Sequence, residues 1–179
     1  MAQAVAALKP TAPPSREKGR LLEIIKQRSL LKGQFKLVSG ATSDYYLDMK
    51  PTTFDPEGAS LIARIVCEML AGESDVDAIG GLELGAVPII AAVCARSWPE
   101  HPINGFVVRK AEKGHGTGKK IEGNFRPDTT VVLFDDVTTK GGSVMQAVRA
   151  VRAQGAGRAS ARDGTRDVSS HRSKWGTKR

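Results

Sequence analysis

The segment 131–143, with the sequence VVLFDDVTTKGGS, constrains the fold of this chain more than any other feature. Its first four residues are apolar and mostly β-branched or aromatic, which is typical of a strand buried on both faces. Val144, Val148 and Val151 then recur at helical spacing. The segment is therefore predicted to form a strand, a loop and a helix. Such a loop lies at the carboxyl end of a parallel strand, where open α/β sheets bind ligands.

The loop of this segment has the chemistry of a sugar-phosphate site. Residues 138–143 would present backbone N–H groups at a helix N-terminus, which is a natural cradle for phosphate. Asp135 and Asp136 come directly before this turn and can accept hydrogen bonds from sugar hydroxyls. From the acid pair and the turn alone, an ordinary strand-to-helix connection with a solvated acidic pair is about equally good as an interpretation.

The rest of the chain alternates short apolar strands with amphipathic helices, which is typical of a parallel α/β sheet. One helix start is well marked, because Asp55 is a good N-cap and Pro56 takes the first helical position. Gly72 ends the same helix. The predicted helices cover 15–30, 56–72 and 87–96, and the predicted strands cover 34–38, 45–48, 78–80, 105–108 and 131–134.

The loop 109–123, RKAEKGHGTGKKIEG, is the second informative segment. It holds five Lys or Arg residues, one His and four Gly. A loop of this length inside a compact domain is usually functional or disordered. Its glycines would let it fold over a ligand, and its cations suit a pyrophosphate. Charge alone favours a solvated basic loop, and a nucleotide P-loop is excluded because Lys113 stands where that motif needs Gly.

Length and composition indicate one soluble domain. The chain has 179 residues, 40% of them hydrophobic, and its longest apolar run, 86–95, is too short for a membrane helix. The N-terminus lacks the pattern of a signal peptide, so a cytoplasmic location is expected. Cys67 and Cys94 lie in apolar surroundings, and two buried thiols are expected rather than a disulfide or a metal pair.

The net charge of +8 is unevenly distributed. The tail 157–179 holds seven Lys or Arg residues against two Asp, a net charge of +5, whereas the other 156 residues carry 20 basic and 17 acidic groups. A basic tail could indicate nucleic-acid binding. This one contains a single aromatic residue, Trp175, and no RNA or DNA module, so nucleic acid is not expected as a partner.

These motifs together resemble the orotate phosphoribosyltransferase family of type I phosphoribosyltransferases. The segment 131–143 is similar to the thirteen-residue signature of the type I group. The pattern R-K-x-x-K-x-H-G followed by I-E-G, within 109–123, narrows the resemblance to orotate as the acceptor. Two further matches are the N-terminal stretch 33–46, similar to the small hood that covers orotate, and 81–89, GLELGAVPI, similar to a loop that contacts pyrophosphate.

The resemblance implies a fold with a parallel sheet flanked by helices and a small N-terminal hood at about 15–50. It covers about 15–156, after a flexible leader at 1–14. The implied reaction transfers the phosphoribosyl group of 5-phosphoribosyl 1-pyrophosphate to orotate, giving orotidine 5-phosphate and pyrophosphate in pyrimidine synthesis. Mg²⁺ is the implied cofactor. A homodimer is also implied, in which the mobile loop 109–123 reaches the neighbouring subunit's site.

The resemblance also implies roles for individual residues. Catalytic roles fall on Lys113, His115, Asp135 and Asp136. The residues expected to bind phosphoribosyl pyrophosphate are Arg109, Lys110, Lys113, His115, Asp135, Asp136, Val137, Thr138, Thr139, Lys140, Gly141, Gly142 and Ser143. Those expected to bind orotate are Thr139, Tyr46, Tyr45 and Lys36. No protein ligand set for a metal is predicted, because Mg²⁺ binds phosphates with few protein ligands.

Two positions depart from the family's pattern within the matched region. Val38 stands where the family often has Lys before the Ser-Gly pair, and Lys36 would share a strand face with it and could replace that Lys. Many members carry Lys in the pyrophosphate loop, where 83–85 here reads Glu-Leu-Gly. For Tyr45 and Tyr46, ordinary core positions remain the alternative to orotate contacts.

The resemblance ends abruptly after residue 156. The family continues with an apolar strand and an Asp-Arg pair, whose Arg grips the orotate carboxylate. The tail 157–179 has only Val168 and Trp175 as substantial apolar residues, so no strand and a disordered, basic tail are expected. We therefore expect the C-terminal strands of the fold to be missing and the motif strand to lie at an unpaired edge. A shifted reading frame or truncated gene model is our hypothesis for this tail.

Two other functions remain open from the sequence. One is a purine or uracil salvage phosphoribosyltransferase, which shares the acid-pair motif but lacks the lysine-histidine loop. The other is a non-catalytic regulator that binds sugar phosphate or RNA, which only the altered C-terminus and the basic tail favour. Turnover with orotate but not with free bases would separate the first alternative, and salt-dependent RNA binding would support the second.

Overall fold

The computed structural model describes residues 16–36, 40–73, 76–111, 120–138 and 141–162. A five-stranded sheet lies between helices on both faces, and a two-stranded hood stands apart from it. The helices are α1 Arg16–Arg28, α2 Lys50–Thr53, α3 Pro56–Ala71, α4 Ala86–Ser97 and α5 Gly142–Ala153, and the strands are β1 Leu30–Lys36, β2 Thr42–Leu47, β3 Ala78–Leu82, β4 Asn104–Val108, β5 Ile121–Gly123, β6 Thr130–Phe134 and β7 Arg158–Arg162.

The main sheet has the order β5-β4-β3-β6-β7. Strands β4, β3, β6 and β7 are parallel, whereas β5 runs antiparallel to β4, so the sheet is mixed rather than wholly parallel as predicted. The chain leaves β3 towards β4 and later returns to the opposite side of β3 as β6. This reversal creates a crevice at the carboxyl ends of β3 and β6, the position at which such sheets bind ligands.

Strand β6 supplies the centre of the core on both faces of the sheet. Val131 and Leu133 are fully buried in the layer that contains α5, while Val132 and Phe134 pack into the layer formed by α3 and α4. The predicted buried strand is therefore confirmed. Because both faces are covered, the residues that directly follow β6 leave the sheet from a fixed position.

Helix α3 follows the sequence signals closely. The Asp55 carboxylate accepts a hydrogen bond from the Gly58 N–H at 2.9 Å, Pro56 starts the helix and Gly72 caps its end. Helix α1 ends at Arg28, earlier than the predicted residue 30. Its end is fixed by Ser29, which is fully buried with its hydroxyl 2.6 Å from that of Thr52. The short helix α2 was not predicted.

The hood consists of α1 with the antiparallel strands β1 and β2. Both strands begin before their predicted positions, 34–38 and 45–48, and most of their residues are exposed. Three ion pairs connect α1 and its end to α3: Arg20–Glu57 at 2.7 Å, Arg64–Glu17 at 2.7 Å and Arg28–Asp55 at 3.0 Å. The hood is thus held to the body of the domain partly by surface charge.

Two strands correct the sequence interpretation. Strand β7 forms at Arg158–Arg162 and pairs in parallel with β6, so the expectation that no strand follows residue 156 is wrong for these residues, and β6 is not an edge. An exposed ladder of backbone groups on β6 can be paired by any extended segment, even one poor in apolar residues. The remainder of the tail, 163–179, and the leader lie outside the described residues.

Strand β5 lies within the segment predicted to be one mobile loop, 109–123. It pairs antiparallel with β4, and its first residue, Ile121, is buried. The loop is therefore shorter than predicted, and its central residues 112–119 lie outside the described part of the chain. A single buried Ile in a basic, glycine-rich segment is too weak a signal to predict a strand.

Two expectations from composition can be compared with the fold. Of the helices in the described ranges, none is long and apolar enough to cross a membrane. Cys67 and Cys94 are free thiols, but both are half-buried rather than fully buried. Burial raises the pKa of each thiol above its usual value.

Candidate active site

Asp135 and Asp136 stand at the crevice between β3 and β6. They follow Phe134 directly, so the buried strand fixes where both carboxylates leave the sheet. The Val137 N–H donates a hydrogen bond to Asp136 Oδ1 at 3.0 Å. Both acids are half-buried. The structure therefore places the predicted acid pair where a ligand could reach it from the solvent.

The turn 83–85 forms the opposite wall of the crevice. Gly85 lies so close to Asp136 that a Cβ at this position would overlap the Asp136 carboxylate. Any other residue would push the acid out of place. Gly85 also precedes the first residue of α4, and the Glu83–Leu84 peptide bond before it is cis. The sequence similarity of 81–89 to a pyrophosphate loop thus corresponds to a turn that touches the acid pair.

Asp135 of the acid pair has an unusual protonation equilibrium. Burial, and then the charge of Asp136, raise the pKa of Asp135 from 3.8 to about 6. The positive charge of Lys110 acts in the opposite direction on the same carboxyl. Two adjacent carboxylates that share a partly desolvated crevice resist being charged together. A ligand that donates hydrogen bonds to both would relieve this cost.

The turn after the acids opens towards the N-terminus of α5. Gly141 adopts a left-handed conformation, with φ of 72°, and precedes the first residue of the helix. Gly142 and Ser143 are exposed in the first helical turn, whose N–H groups have no partner within the helix. The Thr138 hydroxyl is buried and finds no hydrogen-bond partner among the described residues. Thr139 and Lys140 lie outside those residues.

A buried hydroxyl without a partner indicates something missing from its surroundings. At this turn an anion would supply acceptor oxygens both to the Thr138 hydroxyl and to the backbone N–H groups of α5. The described part of the turn therefore offers donors of the kind that a phosphate requires, and its role as the phosphate site stays a prediction.

Arg109 and Lys110 begin the loop 109–123, and the two residues make different contacts. The N–H of Lys110 donates to Glu83 Oε1 at 2.8 Å, which brings this residue to the turn beside the acids. Arg109 instead pairs with Glu122, with Nη1 and Oε1 3.1 Å apart, and its Nε is buried without a partner in the described part of the chain. Lys110 is thus brought to the acid pair and Arg109 is not. Lys113 and His115 lie outside the described residues.

The clearest cavity of the described chain lies elsewhere. Its volume is about 410 Å³, and it opens between α4 and the β4–β5 edge of the sheet. Its lining is mostly apolar and includes Leu84, Val87, Phe106 and Arg109. Asp135 and Asp136 do not line this cavity. Because phosphate and ribose require polar donors and acceptors, we place the candidate site at the open, polar crevice instead.

The two hood tyrosines face solvent. Tyr45 is 57% exposed and Tyr46 is 45% exposed, so the alternative interpretation of a core pair is wrong. The Tyr46 ring lies 5.6 Å from that of Phe35, centre to centre. Lys36, at the end of β1, is exposed as well and stands opposite Thr42. An aromatic pair open to solvent can stack on a planar base.

Lys50 is a residue that the sequence interpretation missed. Its ammonium lies 2.6 Å from Asp48 Oδ1, and this contact is the main cause of a raised pKa of Lys50. The charge of Asp136 raises the same pKa as a smaller cause. The available signal was an Asp that ends a predicted strand and a Lys two residues after it.

The side chains at the crevice suit a metal ion only when a bound substrate supplies further ligands. No three His, Cys, Asp or Glu side chains gather into a metal site in the described ranges. Asp135 and Asp136 nevertheless offer hard carboxylate oxygens, which Mg²⁺ prefers, and this ion usually takes its other ligands from phosphates and water. The residues present therefore fit Mg²⁺ held mainly by a phosphorylated substrate.

Comparison with known proteins gives a consistent result. No family model matches the chain. It is 48% identical over 147 residues to an orotate phosphoribosyltransferase of a Bradyrhizobium strain, covering 79% of each chain. Among solved structures it resembles an orotate phosphoribosyltransferase of Mycobacterium tuberculosis, with a TM-score of 0.69 and 35% identity over 80% of this chain and 79% of that one. A structure of the M. tuberculosis enzyme in complex with 5-phospho-α-D-ribosyl 1-diphosphate matches with a TM-score of 0.63 and 28% identity over 81% and 72%.

Proposed function

Because the chain belongs to the orotate phosphoribosyltransferase family, we propose that it transfers the phosphoribosyl group of 5-phosphoribosyl 1-pyrophosphate to N1 of orotate. The products are orotidine 5-phosphate and pyrophosphate, and the reaction is a step of pyrimidine synthesis. The observation that carries this proposal is the junction of an acid pair and an open helix N-terminus at the crevice of the sheet. Both lie in a chain that is 48% identical to an orotate phosphoribosyltransferase.

The ribose 5-phosphate part of the substrate binds along the 135–143 segment. Asp135 and Asp136 accept hydrogen bonds from the two ribose hydroxyls. The Thr138 hydroxyl and the N–H groups at the start of α5 bind the 5-phosphate, with Val137, Thr139, Lys140, Gly141, Gly142 and Ser143 completing the turn. Two observations support this assignment: the Thr138 hydroxyl has no partner in the described part of the chain, and Gly141 is left-handed.

The pyrophosphate is the leaving group at the anomeric carbon of the ribose. Breaking its bond to the anomeric carbon builds positive charge on the sugar and negative charge on the leaving group, so preorganised cations lower the barrier. Lys110, Lys113 and His115 supply these cations. Arg109, at the same loop root, could reach the diphosphate only by leaving Glu122, to which it is paired at 3.1 Å.

Mg²⁺ neutralises charge on the diphosphate oxygens when it is bound. Asp135 and Asp136 are the carboxylates that would hold it together with the substrate, since the described residues contain no larger cluster of metal ligands. The chain's own part is to hold the ribose on the acids and the 5-phosphate on the α5 turn. The anomeric carbon then faces the acceptor.

Orotate binds beneath the hood. Tyr46 stacks on the pyrimidine, and Thr139 and Lys36 contact its polar edge. Tyr45 leaves the other face of β2, because successive strand residues alternate, so it is the less direct of the two tyrosine contacts. The exposure of both tyrosines, with the Phe35 ring behind Tyr46, supports this role. We add Lys50 to this set because it is exposed directly after the hood strands, with its ammonium 2.6 Å from Asp48 Oδ1. A cation there suits the carboxylate of orotate.

The proposed assembly is a homodimer in which the loop 109–123 of one subunit serves the site of the other. Leu84 and Trp98 are exposed by 60% and 71%, and Leu84 borders the apolar cavity beside α4, which gives a second copy an apolar surface to cover. Two impaired variants, Lys113→Ala and Asp136→Asn, test the sharing of loops when they are assayed at a phosphoribosyl pyrophosphate concentration too low to saturate Asp136→Asn. On mixing, about a quarter of the sites should regain both groups if subunits exchange at random. No regained activity after exchange would refute the shared loop.

The direct test of the reaction is an absorbance assay for the loss of orotate. The full chain should consume orotate only when phosphoribosyl pyrophosphate and Mg²⁺ are both present, and should release pyrophosphate in equal amount. Uracil, adenine, guanine and hypoxanthine are the matched acceptors, and none should replace orotate. Folded chain that leaves orotate unchanged, or that prefers a free base, would contradict the proposal.

A further inference from the structure

The backbone N–H and carbonyl of Lys110 are held by three side chains from three parts of the fold. Its N–H donates to Glu83 Oε1 at 2.8 Å. Its carbonyl oxygen accepts from Lys120 Nζ at 2.9 Å and from Gln146 Nε2 at 3.0 Å. Glu83 belongs to the turn after β3, Lys120 precedes β5 and Gln146 lies in α5. Both backbone groups of Lys110, two residues after β4, thus find side-chain partners.

These contacts need a reason beyond the stability of the fold. The hydrogen bonds are exposed, and water would satisfy the same peptide without ordering three long side chains. Their partners are also not random. The turn that carries Glu83 touches Asp136 through Gly85, and α5, which carries Gln146, starts at the proposed phosphate turn. The backbone of Lys110 is therefore hydrogen-bonded both to the turn 83–85 and to α5, which lie on the two sides of the crevice.

Glu83 is unexpected in this position on electrostatic grounds. It lies in the turn that resembles a pyrophosphate loop, and an anion beside a polyanionic leaving group is unfavourable. Its contact with the Lys110 N–H gives it a different function, because the carboxylate is turned towards the peptide rather than left for a substrate. Glu83 also donates its own N–H to the carbonyl oxygen of Val108 at 2.9 Å, which fixes the turn against β4.

We propose that Glu83 and Gln146 are positioning residues. They hold the backbone N–H and carbonyl of Lys110 so that the Lys110 ammonium faces the acid pair and the diphosphate. Neither residue touches substrate; both act through Lys110. The inference rests on the proposed function for the identity of the anion. The link to the acid pair is geometric, because the turn whose Glu83 accepts the Lys110 N–H also packs Gly85 against the Asp136 carboxylate.

The chain offers substitutions that separate this role from a structural one. Glu83→Ala removes the acceptor for the Lys110 N–H, whereas Glu83→Gln keeps a carbonyl oxygen that can accept the same hydrogen bond. Gln146→Met keeps the length of the side chain but removes its donor. Lys110→Ala removes the ammonium and leaves the held peptide in place. The controls are Glu68→Ala and Gln27→Ala, both on exposed helical faces away from the crevice.

The experiment is a double-mutant cycle measured by calorimetric titration of the full chain with pyrophosphate in the presence of Mg²⁺. In the wild-type background Glu83→Ala should weaken pyrophosphate binding about tenfold, the size expected for one hydrogen bond that positions a charged group. In the Lys110→Ala background the same substitution should change binding by less than about twofold, because no ammonium remains to be positioned. Glu83→Gln should restore most of the affinity, and Gln146→Met should follow the pattern of Glu83→Ala with a smaller loss.

The outcomes separate this inference from the proposed function. Equal losses from Glu83→Ala in both backgrounds, no loss in either, or no binding of pyrophosphate by the wild-type chain would overturn it. Orotate turnover by the wild type together with equal losses would leave the function standing and refute the positioning role. A non-additive cycle in a chain that does not consume orotate would support the positioning role and refute the proposed function. The two control variants should bind as the wild type does.

Discussion

The two halves of the proposed active site are supported in different ways. The ribose-phosphate half follows β3 and β6, neighbouring strands of the sheet whose residues are almost all buried. The orotate half stands on β1 and β2, where most residues are exposed, and its helix meets α3 partly through ion pairs. The first half is therefore fixed by close packing, and the second by contacts that water and salt weaken.

This difference matches what each half has to recognise. The ribose-phosphate half must hold a reacting carbon still, so rigid supports for Asp136 and the α5 turn are an advantage. The hood must admit a flat base and then cover it, which requires a surface that is open before binding. The exposed rings of Tyr45 and Tyr46 are consistent with such a surface.

The largest expected contrast is in stability. Leu133 in β6 is fully buried, so Leu133→Ala should lower the free energy of unfolding by about 2–5 kcal/mol. The same substitution at Leu31 in β1, which is 48% exposed, should cost less than about 1 kcal/mol. Urea unfolding followed by circular dichroism measures both. Equal losses would show that the hood is packed as firmly as the sheet.

The second contrast concerns the affinity for phosphoribosyl pyrophosphate. Asp136→Asn removes a charged acceptor for a ribose hydroxyl and should weaken binding roughly 10- to 100-fold in a calorimetric titration. Tyr46→Ala, in the hood, should leave this affinity within about twofold, because the ring contacts only the base. If Asp136→Asn bound as tightly as the wild type, the acid pair would not be the ribose site.

The third contrast concerns orotate. Removal of the exposed Tyr46 ring should raise the KM for orotate about five- to tenfold, the value of one aromatic stacking contact, and change kcat less. Phe54→Ala is a suitable control, since Phe54 is 66% exposed but lies outside the two hood strands. An unchanged KM in steady-state assays of Tyr46→Ala would move the orotate site away from this face of the hood.

The smallest expected effect is on the pH dependence of stability. The folded chain raises the pKa of Asp135 from 3.8 to about 6, so the native state holds this proton more tightly than the unfolded chain. The resulting stability is complete below about pH 4 and is lost as the pH rises through 6. Asp135→Asn should therefore raise the thermal midpoint modestly at pH 7.5 and leave it unchanged at pH 4, as solvent screens a half-exposed group. A rise of the same size at both pH values would contradict this origin.

The sequence predicted the parts of the fold that local patterns determine. The buried strand β6, the acid pair after it and the capped start of α3 all follow from short-range signals, and the structure confirms them. Strands β5 and β7 could not be predicted, because neither has a strand's apolar pattern. Each exists through pairing with a neighbour that is distant in sequence, β4 and β6 respectively.

The candidate site shows the same division. Asp135, Asp136 and the α5 turn could be found from one segment, whereas the contact between Glu83 and the Lys110 peptide joins residues 27 positions apart. Nothing local to either residue indicates that contact. The pairing of Arg109 with Glu122 could not be predicted either, because the two residues are 13 positions apart in the chain.

The central claim is that a rigid ribose-phosphate half is combined with a loosely held hood, and hydrogen–deuterium exchange tests it most directly. The amides of β3 and β6 should exchange slowest, near the rate set by global unfolding, and those of β1 and β2 should exchange far faster. Added phosphoribosyl pyrophosphate should protect the segment that follows β6 and leave β1 and β2 unprotected until orotate is also present. Hood amides as slow as those of β6 in the free chain would contradict the account.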